Sequence, residues 1–174
     1  MLENMKFLNG RVVEGIFLRI FPPYGEGDFS SADISVGLRL LGEKEMLLIF
    51  VSSEDNWAIK AAFVCVPKFK AWLEFERDLP AILNGEKEVE YAYVFYDVSG
   101  QEVFSEIVGK KIVSVEALTI DEDWEPFGLK LNFERDYILV YPNTDGSAFE
   151  TKLYKHGRGL GEFEVMGGIQ YKKL

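Results

Sequence analysis

The sequence predicts a mostly β, α+β fold built from two similar antiparallel β-meander or hairpin units in a pseudo-two-fold arrangement, with one main helix. Three observations predict it. Residues 37–50 lie without a gap on residues 128–141: five of the 14 pairs are identical, and six more exchange like for like, among them Arg39/Lys130, Lys44/Arg135 and Phe50/Tyr141. Self-similarity of this kind reports repeated architecture. The element leading into each hairpin also recurs in the same order, as Gly10-Arg11-Val12-Val13 and Gly109-Lys110-Lys111-Ile112. Finally, the chain holds 14 Phe and 8 Tyr against 3 Trp, an enrichment that suits pleated, half-buried surfaces.

Residues 11–20, rich in β-branched and aromatic side chains, read as the first strand. Pro22, Pro23, Gly25 and Gly27 then mark residues 22–28 as a loop. Residues 36–41 and 46–51 flank Gly42-Glu43-Lys44-Glu45, a hairpin turn. Cys65 sits in the apolar run Ala62-Phe63-Val64-Cys65-Val66 and reads as a small buried hydrophobe. In residues 67–83, Phe69, Trp72, Leu73 and Glu76 fall at helical spacing, with Pro67 before them and Pro80 expected to stop the helix. Residues 89–98 are apolar on both faces, which predicts a central strand covered on both sides; the turn Asp97-Val98-Ser99-Gly100 leads it into residues 102–107.

The second copy follows the same plan, with an acidic link through Asp121-Glu122-Asp123-Trp124-Glu125 and a hairpin over residues 129–133 and 137–141. Leu129, Leu131 and Phe133 alternate with Lys130 and Asn132, as in a strand with one wet face. Residues 155–161 are flexible by composition, and Phe163-Glu164-Val165-Met166 reads as one last short strand. The whole chain, 1–174, reads as a single domain with an internal repeat (about 8–62 and 107–153), an inserted segment 63–106 and a C-terminal tail 154–174.

The formal net charge is -10, from 19 basic and 29 acidic residues. That sign repels phosphate backbones and anionic lipid, so neither nucleic acid nor membrane is an expected partner. There is no apolar run of about 18 residues and no signal-peptide pattern at the N-terminus. One cysteine permits no intrachain disulfide. These features predict a cytoplasmic protein.

Chemistry-bearing motifs are scarce. Nucleophile systems of the Ser-His-Asp or Cys-His kind need a poised histidine, and the single histidine, His156, lies in a glycine-rich stretch that reads as flexible surface. One histidine and one cysteine cannot build a zinc site. Neither the 121–125 link nor Asn143-Thr144-Asp145-Gly146-Ser147 has the spacing of a calcium loop; they read as a solvated acidic loop and a turn. Gly157-x-Gly159-x-Gly161 misses the dinucleotide spacing and is expected to precede no helix, and no Gly-Lys-Ser/Thr motif exists. The expectation is therefore a protein that is not an enzyme, with no catalytic residues, metal or cofactor; a carboxylate pair is the one hydrolytic route the composition leaves.

Surfaces remain. Glu74-Phe75-Glu76, Glu86-Lys87-Glu88-Val89-Glu90 and Glu162-Phe163-Glu164 set carboxylates beside apolar side chains, a combination that suits a protein-binding face. In being small, acidic, cysteine-poor and without a catalytic constellation, the chain is similar to bacterial toxin-immunity proteins. The resemblance implies a non-catalytic inhibitor whose acidic surface blocks a basic partner protein; it carries over no family residues, and the candidate contacts read from the acidic segments are Glu74, Glu76, Glu86, Glu88, Glu90, Asp121, Glu122 and Asp123. The alternative is a cytoplasmic accessory or small-ligand-binding domain whose cleft lies between the repeats. Since the two copies share core positions and turn charges, the specific function is expected where they differ: residues 22–33, 121–125 and 67–98.

Overall fold

The computed structural model describes residues 2–21, 29–52, 58–89, 91–121, 125–143 and 146–174. Eleven strands among them form two sheets. The first has the order β4-β3-β2-β1-β6-β5, from β1 (Val13–Phe21), β2 (Asp33–Leu40), β3 (Glu45–Val51), β4 (Ile59–Cys65), β5 (Phe69–Ala71) and β6 (Val94–Asp97). The second has the order β10-β9-β8-β7-β11, from β7 (Ser114–Ile120), β8 (Gly128–Asn132), β9 (Tyr137–Asn143), β10 (Gly146–Glu150) and β11 (Ile169–Lys173). Each copy of the repeat is thus an antiparallel meander, β1 to β4 in one sheet and β7 to β10 in the other. The fold is mostly β, of α+β type, with α1 (Trp72–Leu83) as its main helix.

The repeat is exact in its facing rather than in its register. In the first hairpin Leu38 pairs with Leu47; the gap-free alignment would pair Leu129 with Ile138. Instead Leu129 pairs with Val140 and Leu131 with Ile138, a slip of two. The cause is the turn. Gly42, at φ 84°, opens the first one, whereas Phe133 N–H donates to the Asp136 carbonyl at 2.8 Å and leaves only Glu134 and Arg135 between them. A slip of two keeps every side chain on its face, whereas a slip of one would turn the core outward. Accordingly Leu38, Leu40, Leu47 and Ile49 meet Leu129, Leu131, Ile138 and Val140 in one core, all with no exposure.

The leading elements pair with each other across a local two-fold. Gly10 N–H donates to the Ile112 carbonyl (2.8 Å) and Gly109 N–H to the Val13 carbonyl (2.7 Å). Val13 N–H donates to the Lys110 carbonyl (3.0 Å) and Ile112 N–H to the Arg11 carbonyl (2.9 Å). Exchanging residues 10–13 with 109–112 converts each bond of a pair into the other. Gly10 and Gly109 share a left-handed φ of 81° and 78°, a conformation that costs glycine nothing.

Several elements depart from the sequence expectation, each for a tertiary reason. Phe69–Ala71 is strand β5 rather than helix, because it pairs parallel with β6; α1 begins at Trp72 and runs through Pro80 to Leu83. Its last turn is closed beyond the proline by Asn84 N–H to the Pro80 carbonyl at 3.1 Å and by Gly85 at φ 69°. The central strand shortens to β6, half-buried and set between β1 and β5. Residues 102–107 form a 3-10 turn (Glu102–Phe104) and further turns that bury Phe104 and Ile107. Residues 163–166 belong to a short helix, α2 (Gly161–Met166), and the closing strand is β11, paired with β7.

Candidate functional site

The predicted contact residues fall into two places. Glu74 stands in the first turn of α1 and accepts a hydrogen bond from Ala71 N–H at 3.2 Å, so it caps the helix. Glu76 lies exposed on α1; Glu86 and Glu88 are exposed just past its end. Asp121 is exposed at the end of β7, with φ 58°, in the second sheet. Glu90, Glu122 and Asp123 lie outside the described residues, as do residues 22–28 of the Pro/Gly loop. The structure therefore gathers Glu74, Glu76, Glu86 and Glu88 around one helix and leaves Asp121 on another sheet.

Around α1 the charges are arranged unevenly. Asp78 is paired with Lys87 at 2.6 Å and Arg77 at 3.1 Å, and these bonds, Lys87 first, hold its carboxyl at about 2. No ion pair among the described residues engages Glu76, Glu86 or Glu88. Large apolar side chains in the same stretch of chain are exposed: Leu73 is 72% exposed, Tyr91 76% and Phe69 47%. The inner side of α1 is spent on the core, where Phe75 meets Phe29 and Tyr96, each at 5.1 Å, and Trp72 stacks on it at 4.7 Å.

His156 and Cys65 exchange their expected roles. His156 is 2% exposed. Its Nε2 lies 2.9 Å from the Ala32 carbonyl oxygen, and its ring lies between Phe29 (5.1 Å) and Phe149 (6.4 Å). A glycine-rich neighbourhood conceals this: Gly157 and Gly159, at φ 81° and 78°, fold the segment inward rather than loosen it. Cys65 is exposed at the last position of β4, because the apolar run it ends forms an edge strand. The glycine series does precede a helix, but α2 has six residues.

The space between the repeats is filled by the residues of the shared core. A cavity of about 270 Å³ lies elsewhere, at the β9–β10 end, lined by Tyr137, Glu150, Lys152, Tyr154 and Lys155 among others. The Tyr137 hydroxyl donates to Glu150 at 3.0 Å; burial first, then this carboxylate, pushes Tyr137 up to about 12. The lining is polar and charged, unlike the apolar walls of a usual ligand pocket. Among the described residues no group of three or more His, Cys, Asp and Glu is placed to hold a metal ion, and no helix is long and apolar enough to cross a membrane.

No family model, no curated protein and no solved structure matches this chain.

The outer faces of the two sheets are what sequence reading missed. On the second, α2 seats Phe163 on Phe127 at 4.3 Å over Leu118, Ile120, Leu139 and Tyr141, a small apolar core of its own. On the first, β1 sends Phe17, Arg19 and Phe21 outward opposite Gly37, Ser35 and Asp33. A Cβ on Gly37 would stand 2.5 Å from Met46 Sδ, so the glycine clears the room that Met46 fills. The only signal was the recurrence itself: Phe17–Gly37 corresponds to Leu118–Gly128, and two residues further along β1 and β7 stand Arg19 and Ile120.

Proposed function

We propose that this chain is a non-catalytic binding protein of the immunity type, which blocks a basic partner protein through the β5–α1 side of its first sheet. One observation carries the reading: Glu76, Glu86 and Glu88, on and just past α1, enter no ion pair among the described residues, and Leu73, Phe69 and Tyr91 in the same stretch of chain are exposed. Large exposed apolar side chains supply affinity once a partner removes them from water. Unpaired acids at their rim steer a cationic surface and reject an anionic one. The net charge of -10 adds a long-range field of the same sign. A basic cleft that ordinarily holds an anionic substrate meets these requirements. Asp121, remote from α1 in the fold, is not part of this face.

The test is capture from the source cell at low salt, repeated with Leu73→Ser and with a Glu76→Gln/Glu86→Gln/Glu88→Gln variant. A single basic protein, released by salt and lost with both variants, supports the proposal. Capture that persists in both variants, or a partner of acidic charge, overturns it.

A further inference from the structure

Each sheet ends in two edge strands, and three of the four are blunted. β5 spans three residues and runs straight into α1. β10 is covered by the chain that returns along it: His156 N–H donates to the Phe149 carbonyl at 2.9 Å, and Glu150 bridges to Lys155. β11 carries Lys172 and Lys173, the charges with which natural edges resist pairing. β4 has none of these devices. It runs for seven residues with Lys60 as its one charge, and Lys60 Nζ donates to Ser52 Oγ at 3.0 Å, back towards the end of β3. Ala62, Phe63 and Cys65 are exposed. Phe7 widens the apolar surface, its ring 5.8 Å from that of Phe63.

The register fixes which backbone groups of β4 face outward. Ser52 N–H donates to the Ala58 carbonyl at 3.0 Å, in line with the β3–β4 pairing that sets Val51 against Ile59 and Glu45 against Cys65. Bonding in an antiparallel ladder alternates along each strand, so residues 58, 60, 62 and 64 turn their N–H and C=O groups to β3. Ile59, Ala61, Phe63 and Cys65 turn theirs away. Ile59 shows this directly, since its N–H donates to the Pro126 carbonyl at 3.5 Å. Among the described residues no hydrogen bond takes up the outward groups of Ala61, Phe63 and Cys65, and β4 pairs with β3 alone.

The open part of this edge is its own complement. At one end it stops at Ile59, whose N–H is already used. At the other it stops at Pro67, which has no N–H to give. Ile59 and Pro67 are equidistant from Phe63. A second copy turned end for end therefore sets Phe63 against Phe63 and Ala61 against Cys65, each pair exchanging both of its N–H···O bonds. Ala62 then meets Val64, and every facing side chain between the two stops is apolar. Charge favours the same choice: residues 56–73 are the longest stretch without an acid in a chain of net charge -10, so two copies repel each other least along this edge.

We infer that β4 is a dimerisation edge, which pairs antiparallel with β4 of a second copy of this chain about a two-fold axis through Phe63. An isologous contact of this kind closes on itself and does not propagate. It joins the two first sheets into one and gives the exposed edge a partner. The β5–α1 side lies at the far end of the same sheet, so the dimer leaves the partner face proposed above open.

The full chain is sedimented between about 1 µM and about 1 mM, and its mean mass is expected to climb from one chain towards two, as a small reversible interface gives. Phe63→Lys sets two lysines against each other on the axis and should weaken dimerisation at least about tenfold, with circular dichroism showing whether the fold is kept. Ala61→Cys reads the register in a chain altered by one small side chain. It places a thiol opposite Cys65 of the second copy, at the roughly 5.5 Å Cα separation that a disulfide spans, and oxidised glutathione should convert it to a covalent dimer. The unaltered chain, whose two Cys65 residues would stand about 13 Å apart along the strands, and Ala62→Cys should stay uncrosslinked. A mass of one chain at every concentration, a dimer indifferent to a folded Phe63→Lys variant, or crosslinking no greater in Ala61→Cys than in Ala62→Cys would overturn the assignment.

Discussion

The two sheets of this molecule carry the same meander and the same inner face but opposite outer faces. The second is closed by α2, whose Phe163 is 4% exposed against Phe127. The first has no such cap among the described residues; Phe69 and Tyr93 remain 47% and 46% exposed, and Arg19 lies where its counterpart is Ile120. Packing explains the shared half of this pattern, since facing surfaces must interlock whatever else changes. The unshared half is where one copy keeps apolar and charged groups in contact with water, at an energetic disadvantage that stability alone would remove. That asymmetry is the ground for proposing recognition on the first sheet.

The largest effect that could break this comparison is in the cap. Phe163→Ala should cost about 3–5 kcal/mol by leaving a cavity over Leu118 and Leu139, whereas Phe69→Ala should change stability by no more than about 1 kcal/mol; urea unfolding measures both. Equal losses would mean that the first face is structural too. Next, Leu38→Ala and Leu129→Ala occupy corresponding, fully buried positions. Each should cost about 2–5 kcal/mol, and a difference well beyond about 1 kcal/mol between them would show that the inner faces are not equivalent.

A smaller effect separates the outer faces by pH. Tyr137 ionises at about 12 when folded, against 10.0 unperturbed, because burial and Glu150 disfavour the phenolate. The unfolded chain therefore loses its proton first, and stability falls as pH rises from 10 towards 12; Tyr137→Phe should flatten that fall in denaturation curves. The smallest lies beside the proposed partner face. Asp78 releases its proton at about 2 in the folded state, against 3.8 ordinarily, owing to Lys87 and Arg77. Its pairing stabilises above pH 3.8 and is lost as pH falls through 2; Asp78→Asn should remove this acid-limb dependence and lower stability slightly at neutral pH, where the pairing is fully formed.

Local patterning made the hairpins legible. Alternation in residues 129–133, the Gly42 turn and the recurrent Gly10 and Gly109 all act over a few residues, and they led to β2, β3, β8 and β9 and to the paired leading elements. What stayed hidden depends on distant partners. Phe69 is helical by spacing yet strand by its pairing with Phe95. Glu162-Phe163-Glu164 alternates like a strand, but Phe127 recruits its ring and the segment coils into α2. His156 was judged by its glycine neighbours, although Phe29, Phe149 and the Ala32 carbonyl decide its burial. The acids of α1 were legible as types; which of them stay unpaired was not, because Asp78 takes Arg77 and Lys87 for itself. Arg19 escaped notice for the same reason: in a strand of apolar residues its charge marks nothing until Ser35, Tyr93 and Phe50 surround it.

The account rests most directly on the claim that recognition belongs to the first sheet and framework to the second. Two variants with charge changes decide it: Glu76→Gln/Glu86→Gln/Glu88→Gln, on and just past α1, and Glu162→Gln/Glu164→Gln on α2, whose acids are also exposed. The affinity of the captured basic partner is measured for each across a salt series. The first variant should weaken binding at low salt by at least about tenfold and flatten its salt dependence, as loss of steering charges requires, while the second matches the unaltered protein. Equal weakening by both, or weakening by the α2 variant alone, would contradict the claim.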